Sequence, residues 1–120
     1  MGEQAVNAEL INWSDRLTFT AGEDIDEGNT LYVDTDNSVK KWVSGTSYIG
    51  MSLVDASSGE VVTVVTDGVM RVVSTAHGLS AGTVAHAVAG GGVGNSGDAE
   101  SRVGIITDAS DANALVIKID

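Results

Sequence analysis

Short runs of alternating apolar and polar residues recur along most of the chain, and Gly, Asp, Asn and Ser separate them. Alternation with a period of two is typical of half-buried strands, and the separating residues are those that turns prefer. Leu17 and Phe19, for example, fall on one face of a short run. The pattern predicts strands over residues 17–20, 31–33, 39–43, 48–54, 61–66, 68–74, 83–88, 102–107 and 115–119.

Helical signals are weak by comparison. Residues 4–12 contain reasonable helix formers but no clear cap, and β-branched residues argue against a helical turn over residues 80–88. Fifteen glycines and no proline fit many strands joined by tight turns. We therefore expect an all-β fold, either a small β-barrel or a sandwich, because either closure protects strand edges.

An internal repeat runs through the chain. Gly82 and Gly104 lie 54 residues after Gly28 and Gly50, and Asp-Ala-Ser follows in both halves, at residues 55–57 and 108–110. The repeat covers about residues 17–66 and 75–120. Because about 54 residues is marginal for an independent domain, two pseudo-repeated units within one body are expected.

The domain division follows from length and pattern. A chain of 120 residues is about one domain, which we place at residues 17–120, preceded by an extended N-terminal arm over residues 1–16. The arm is apolar without resembling a strand, so it either packs back across the barrel or docks on another subunit. We favour docking, with Leu10, Ile11 and Trp13 as contact residues and Arg16 as an ion-pair partner.

The charge balance restricts the partners. A formal net charge of −11 repels phosphate backbones and anionic lipids, so nucleic acid and membrane are not expected as partners. No apolar run reaches the ~20 residues of a spanning helix, and no export signal opens the sequence. The hydrophobic fraction of 42% favours a folded domain over a disordered acidic chain. An Asp-rich, Lys-poor surface suits either a halophilic environment or ordinary solubility.

Candidate catalytic and metal-binding groups are few. The chain has no Cys, which excludes disulfides, zinc–thiolate sites and a thiolate nucleophile. His77 and His86 lack a Gly-x-Ser-x-Gly context, and residues 90–97 are Gly-rich without a phosphate-loop ending, which favours a long flexible hairpin loop. We expect no enzymatic activity, no catalytic residue, no cofactor and no specific metal site.

Two acidic segments keep other interpretations open. Residues 34–38 (Asp-Thr-Asp-Asn-Ser) alternate oxygen ligands as calcium loops do, but these residue types also suit a tight turn. The second segment is either a solvated face or a set of paired carboxylates for glycoside hydrolysis; it comprises Glu23, Asp24, Asp26 and Glu27. Aromatic residues for a sugar platform are scarce, namely Trp13, Trp42, Tyr32, Tyr48 and Phe19.

The order of segments resembles a known family. Residues 18–33, TFTAGEDIDEGNTLYV, are similar to the opening of small capsid decoration proteins of tailed viruses, a strand, a Thr-Ala-x-x-Ile/Val-x-x-Gly-Asp-x-Val turn and a second strand. Residues 49–53 and 56–64 resemble the family's Ile-Gly-Val-Ala and Ala-x-x-Gly-Glu-x-Val-x-Val segments, and residues 66–70 its Gly-Val strand. The resemblance covers roughly residues 17–120, with Asn29 where the family often has Asp.

The resemblance implies a cement protein that binds the outer capsid surface as a homotrimer and clamps adjacent major capsid subunits. The implied location is the virion, after assembly in the host cytoplasm, and the acidic surface would suit a virus of a haloarchaeal host. Two alternatives come from other classes: a carbohydrate- or receptor-binding β module of a virion fibre or turret, and a small carboxylate hydrolase using Glu23, Asp24 and Asp26.

Overall fold

The computed structural model describes residues 15–120, and every regular element within them is a β-strand. The predicted all-β class is therefore confirmed. The nine strands are β1 (Asp15–Ala21), β2 (Thr30–Val33), β3 (Ser38–Lys41), β4 (Gly50–Ser52), β5 (Val61–Val73), β6 (Val84–Val88), β7 (Gly92–Gly94), β8 (Arg102–Asp108) and β9 (Ala114–Ile119).

The strands differ from the prediction mainly at three places, and at the first of them β4 spans only Gly50–Ser52 of the predicted residues 48–54. β5 runs continuously through Asp67 and Gly68, where the sequence predicted two separate strands over residues 61–66 and 68–74. Gly68 has φ of 139°, a value open to glycine, and the pairing partner of β5 changes there from β1 to β9. β7 was not predicted, because Val93 is its one apolar residue between two glycines.

The nine strands form one large sheet in the order β1-β3-β2-β4-β5-β9-β8-β6-β7. All its pairings are antiparallel except the short contact between β1 and β3. β1 also pairs with β5, which curls the first five strands back on themselves. The sheet as a whole does not close into a barrel, and the sandwich of the two predicted closures is the one consistent with the structure.

The sequence repeat has a counterpart in the strand register. Leu31 pairs with Gly50 and Ala85 with Gly104, at the same 54-residue spacing. The turn glycines Gly28 and Gly82 share φ values of 87° and 86°. We call residues 15–67 the first unit and residues 68–120 the second unit. The second half of β5 is the counterpart of β1, so the second unit begins before residue 75.

The same correspondence holds for the remaining antiparallel pairs. Tyr32 opposite Lys40 corresponds to His86 opposite Gly94. Met51 opposite Val65 corresponds to Ile105 opposite Lys118. The two units therefore share the register of their antiparallel pairs, but the β1–β3 pairing of the first unit has no counterpart between β5 and β7.

Two clusters of buried apolar side chains form the core. The smaller core lies inside the first unit and comprises Ala21, Ile25, Leu31, Val39, Ala56, Val62 and Val64. The larger core joins the inner face of the second unit to three residues of the first unit, Trp42, Met51 and Val65. Its second-unit members are Met70, Val72, Ala85, Ala87, Val103, Ile106, Leu115, Ile117 and Ile119. The larger core is therefore what joins the two units.

Candidate functional site

The predicted arm contacts fall mostly outside the described part of the chain. Leu10, Ile11 and Trp13 lie outside residues 15–120. Arg16 is the second residue of β1, where it is exposed and opposite Val65.

The acidic segment after β1 is used largely for turns. The Lys41 N–H donates to Glu23 Oε2 (2.8 Å), and the Ser58 N–H donates to Asp24 Oδ1 (3.0 Å). Asp24 and Asp26 line a cavity of about 290 Å³ together with Asp55 and Glu60. The last two carboxylates also accept backbone N–H groups, from Glu27 and Ser57. These hydrogen bonds are what tight loops need, and they assign a structural role to each acceptor.

The Asp34–Ser38 segment is a tight hairpin turn stabilised by its own side chains. Asp36 Oδ1 accepts from the Ser38 N–H (3.0 Å) and hydroxyl (2.5 Å). Asp34 forms an ion pair with Lys40 (2.6 Å). The bond from Lys40 lowers the pKa of the Asp34 carboxyl, and the Ser38 hydroxyl lowers that of Asp36. No group of three or more His, Asp or Glu within residues 15–120 is placed to hold a metal ion.

The two histidines occupy different environments. His77 Nδ1 accepts from the Leu79 N–H (2.9 Å), so Nε2 carries the proton that is donated to the Asp111 carbonyl (2.7 Å). The His77 ring therefore connects its own loop with the loop that contains Asp111. His86 Nδ1 lies 3.0 Å from the Ser101 hydroxyl, the one Ser–His contact among the described residues that resembles a catalytic pair.

Ser101 is nevertheless poorly placed as a nucleophile. Its side chain is buried, and its hydroxyl also contacts the backbone N–H and carbonyl of Asp98. The backbone of Gly97 passes directly over it, since a Cβ at Gly97 would overlap the hydroxyl. The Gly97 segment therefore covers this oxygen on one side, and Ser101 also lines a cavity of about 400 Å³ together with Trp42 and Asp98.

The Gly-rich segment forms a hairpin, as the sequence predicted, but with a short turn in place of a long loop. Gly90 and Gly91 form the tight turn of the β6–β7 hairpin, with φ values of 92° and 86°, and Gly92–Gly94 is a strand. The Thr30 N–H donates to the Gly91 carbonyl (2.8 Å), and the Thr30 hydroxyl donates to the Gly92 carbonyl (3.0 Å). The second-unit hairpin is therefore attached to the first unit.

Trp42 is not part of an exposed aromatic platform, whereas the half-buried Tyr32 and Tyr48 line one cavity of about 500 Å³. Trp42 belongs to the larger core, and its indole N–H donates to the Thr46 carbonyl (3.0 Å). Tyr48 packs against the same core, and burial raises the pKa of its phenol. Clustered exposed Trp and Tyr, which would favour sugar binding, are thus not provided by Trp42 and Tyr48.

The most conspicuous surface was missed by sequence reasoning. Four side chains are neighbours across the paired strands β6, β8, β9 and the second half of β5. We call them the open row, and they are Val84, Ile105, Lys118 and Val69. Val69 is 49% exposed and Lys118 is exposed, while Val84 and Ile105 are half-buried. Val73, at 78% exposed, lies on the same face of β5, but the exposed Arg71 separates it from Val69.

Three of the four first-unit counterparts of the open row are covered, and the fourth, Arg16, which corresponds to Val69, is exposed. Thr30, Met51 and Val65 occupy the same positions in the register, and we call them the covered row. None of the three is more than 2% exposed, because Met51 and Val65 pack into the larger core. An alignment of the two units locates the open row, because it shows which apolar positions are buried in one unit and exposed in the other. Alternation of apolar and polar residues does not locate it, since β5 is apolar on both faces.

Comparison with known proteins gave no match, neither to a family model nor to a curated protein. Residues 15–120 contain no helix of the length and apolarity needed to cross a membrane.

Proposed function

We propose that this chain is a capsid decoration protein, a cement protein that binds the outer surface of a viral shell as a homotrimer and clamps adjacent major capsid subunits. The proposal is supported above all by where the family-like residues lie. The segment 18–33 forms β1, a turn and β2, and residues 59–64 form a turn leading into β5. Gly28 and Gly59, the glycines of those two turns, have φ of 87° and 90°.

The mechanism would be burial of apolar surface at seams between subunits. A trimer presents each contact three times, so modest individual contacts give a high effective affinity. The exposed valines of the second unit would contribute to such contacts, and Leu10, Ile11 and Trp13 are the proposed contact residues of the arm. Arg16, exposed on β1, is the proposed ion-pair residue.

The acidic surface fits a proposed haloarchaeal host. At a net charge of −11, copies of the chain repel one another at low salt, and concentrated salt screens that repulsion. The proposed location is the virion surface, reached by assembly in the host cytoplasm.

Density-gradient fractionation of particles, with an antibody against this chain, tests the proposal. The chain should co-migrate with intact shells, and image reconstruction should place it at three-fold or quasi-three-fold positions. Recovery of the chain only in fractions without particles would contradict the proposal.

The alternative of a carbohydrate- or receptor-binding module of a fibre or turret has less support. Trp42 is buried in the larger core, and Tyr48 is half-buried against it. Binding of the purified chain to a glycan array would revive it.

A further inference from the structure

Strand β5 is paired on both edges in its first half but on one edge in its second half. At Val64 and Val65 it lies between β1 and β4. From Gly68 to Val73 its one partner among residues 15–120 is β9. In the first unit, the corresponding strand β1 has β5 on one edge and β3 on the other. The second half of β5 therefore has an edge that no described strand occupies.

The main-chain groups at this edge follow from the alternation of hydrogen bonds. The Ser74 N–H donates to the Asn113 carbonyl (2.9 Å), in register with the pairs between β5 and β9. Successive residues of a strand turn their N–H and C=O groups to opposite edges, so those of Val69, Arg71 and Val73 point away from β9. No residue within 15–120 forms a main-chain hydrogen bond with them. We call the main-chain groups of these residues the open edge.

The alternation of β5 reverses once along its length. Before Thr66, the even-numbered residues face β1, because the Ala21 N–H donates to the Glu60 carbonyl (2.8 Å) in register with the pairs between β1 and β5. Thr66 is an extra residue between the partners of Arg16 and Asp15, which makes it a β-bulge. One extra residue shifts an alternation of period two, so the odd-numbered residues face the β1 side after Thr66.

The buried side chains show the same reversal. Val65 and Val72 differ by an odd number of positions, which would put them on opposite faces of a regular strand. Both nevertheless pack into the larger core. The odd-numbered residues of the open edge therefore lie on the side of β5 that β1 occupies, whereas β4 and β9 share the other side.

Residues 1–14 join β1 next to the open edge. Asp15, the first residue of β1, is opposite Asp67, and β1 runs antiparallel to β5. A chain that continues the line of β1 backwards from Asp15 therefore passes Val69 first and Val73 last. At ~3.4 Å per residue in extended conformation, residues 9–14 are as long as residues 68–73.

We propose that the open edge of β5 binds residues 9–14 of the same chain as an additional antiparallel strand, in line with β1. Unpaired strand edges readily accept a further strand, and this segment reaches the edge without an intervening loop. Residues 9–14 contain no proline that would interrupt the hydrogen bonds. Their own sequence pattern does not predict a strand; the unpaired edge beside Asp15 does.

The side chains at the open edge fit this occupant. Val69 and Val73 are 49% and 78% exposed there. Continuing the register of β1 and β5 puts Trp13 opposite Val69, and pairs of an aromatic and a β-branched residue stabilise adjacent strands. Because Val69 also belongs to the open row, the arm and the open row would be adjacent. The pairing is a property of the chain alone, so it goes beyond the decoration role and is tested independently of it.

Hydrogen exchange measured by NMR, on the full chain and on a chain without residues 1–14, tests the proposal. The N–H groups of the open edge should exchange about tenfold more slowly in the full chain. The N–H groups of Met70 and Val72, which face β9, should exchange at similar rates in both chains and are the internal control. Equal rates at the open edge in the two chains would overturn the proposal.

A point substitution replaces the deletion if the shortened chain does not fold. Ile11→Pro removes an N–H from the centre of the proposed strand, so exchange at the open edge should become faster. Gln4→Pro, outside residues 9–14, is the matched control and should leave exchange unchanged. Equal exchange rates in the two proline variants would also contradict the proposal.

A disulfide tests whether the strand comes from the same chain. The sequence has no Cys, so Trp13→Cys with Val69→Cys introduces one defined pair, which should oxidise within a monomer. Trp13→Cys with Val61→Cys is the control, because Val61 is 67% exposed on the same strand but lies opposite Thr20. A disulfide that joins two copies would assign the edge to the arm of another copy. That result, or equal oxidation of the control pair, overturns the proposal.

Discussion

Gly104 lies so close to Lys118 that a Cβ atom on Gly104 would overlap the Lys118 carbonyl oxygen. The same relationship joins their first-unit counterparts, Gly50 and Val65. In the first unit the close approach lies between the paired strands β4 and β5, and in the second unit between β8 and β9. The glycines that mark the repeat in the sequence are therefore required by backbone contact.

Gly104→Ala and Gly50→Ala should each lower the free energy of unfolding by about 1–3 kcal/mol, since backbone atoms must move to admit the methyl group. Gly92→Ala is the matched control, because a Cβ there has its nearest neighbour at 4.0 Å. It should change stability by less than about 0.5 kcal/mol. Urea unfolding monitored by circular dichroism measures all three, and equal effects at Gly104 and Gly92 would contradict the argument.

The acidic turns predict how stability depends on pH. The pKa values of Asp34, Asp36 and Asp108 are all lowered by hydrogen bonds in the folded state. Their stabilisation is therefore fully present above the unfolded pKa, about 3.9, and is lost as the pH falls through the lower folded values. We expect the free energy of unfolding to fall below about pH 4, and to fall less steeply in Asp36→Asn. Urea titrations at pH 7 and pH 3 measure this, and identical losses in the two proteins would exclude a contribution from Asp36.

The Tyr48 hydroxyl predicts a stabilising substitution. It is buried and has no hydrogen-bond partner within residues 15–120. Removing an unsatisfied buried polar group while keeping the ring recovers its desolvation cost, so Tyr48→Phe should raise the free energy of unfolding by about 1 kcal/mol. The change in the free energy of unfolding of Tyr32→Phe, in strand β2, provides a comparison for the loss of a tyrosine hydroxyl. A loss of stability in Tyr48→Phe would mean that the hydroxyl has a partner in solution.

The arm hypothesis predicts a separation of binding from stability. Deleting residues 1–14 should weaken attachment to shells by at least tenfold while shifting the melting temperature by only a few degrees. Replacing Leu10, Ile11 and Trp13 with Ser should reproduce the loss, whereas Asn7→Ser with Asn12→Ser should not. Co-sedimentation with shells gives the binding and thermal unfolding gives the stability; unchanged binding by the deletion would remove the arm from the mechanism.

Local signals were enough to predict most strands and the repeat. Period-two alternation located β1, β8 and β9 to within a few residues, and the spacing of Gly28 and Gly82 revealed the duplication. These features depend on side-chain alternation and on backbone conformations that few residues adopt. Both are properties of short segments, which is why the sequence reveals them.

Features that depend on tertiary packing were not predictable in the same way. Asp67-Gly68 has the composition of a turn, yet neighbouring strands on both sides keep β5 extended. Met51 and Ile105 are both apolar strand residues, and only the arrangement of the units decides that the first is buried and the second half-exposed. The candidate surface arises from that difference, which no single segment encodes.

β5 belongs to both halves of the molecule, its first part pairing with β1 and β4 and its second part with β9. Unfolding of either half of the molecule therefore removes part of the pairing that keeps β5 extended, and the other half needs β5 as one of its own strands. Despite two separate clusters of buried side chains, heating should melt residues 15–120 in a single cooperative step, with calorimetric and van't Hoff enthalpies in agreement.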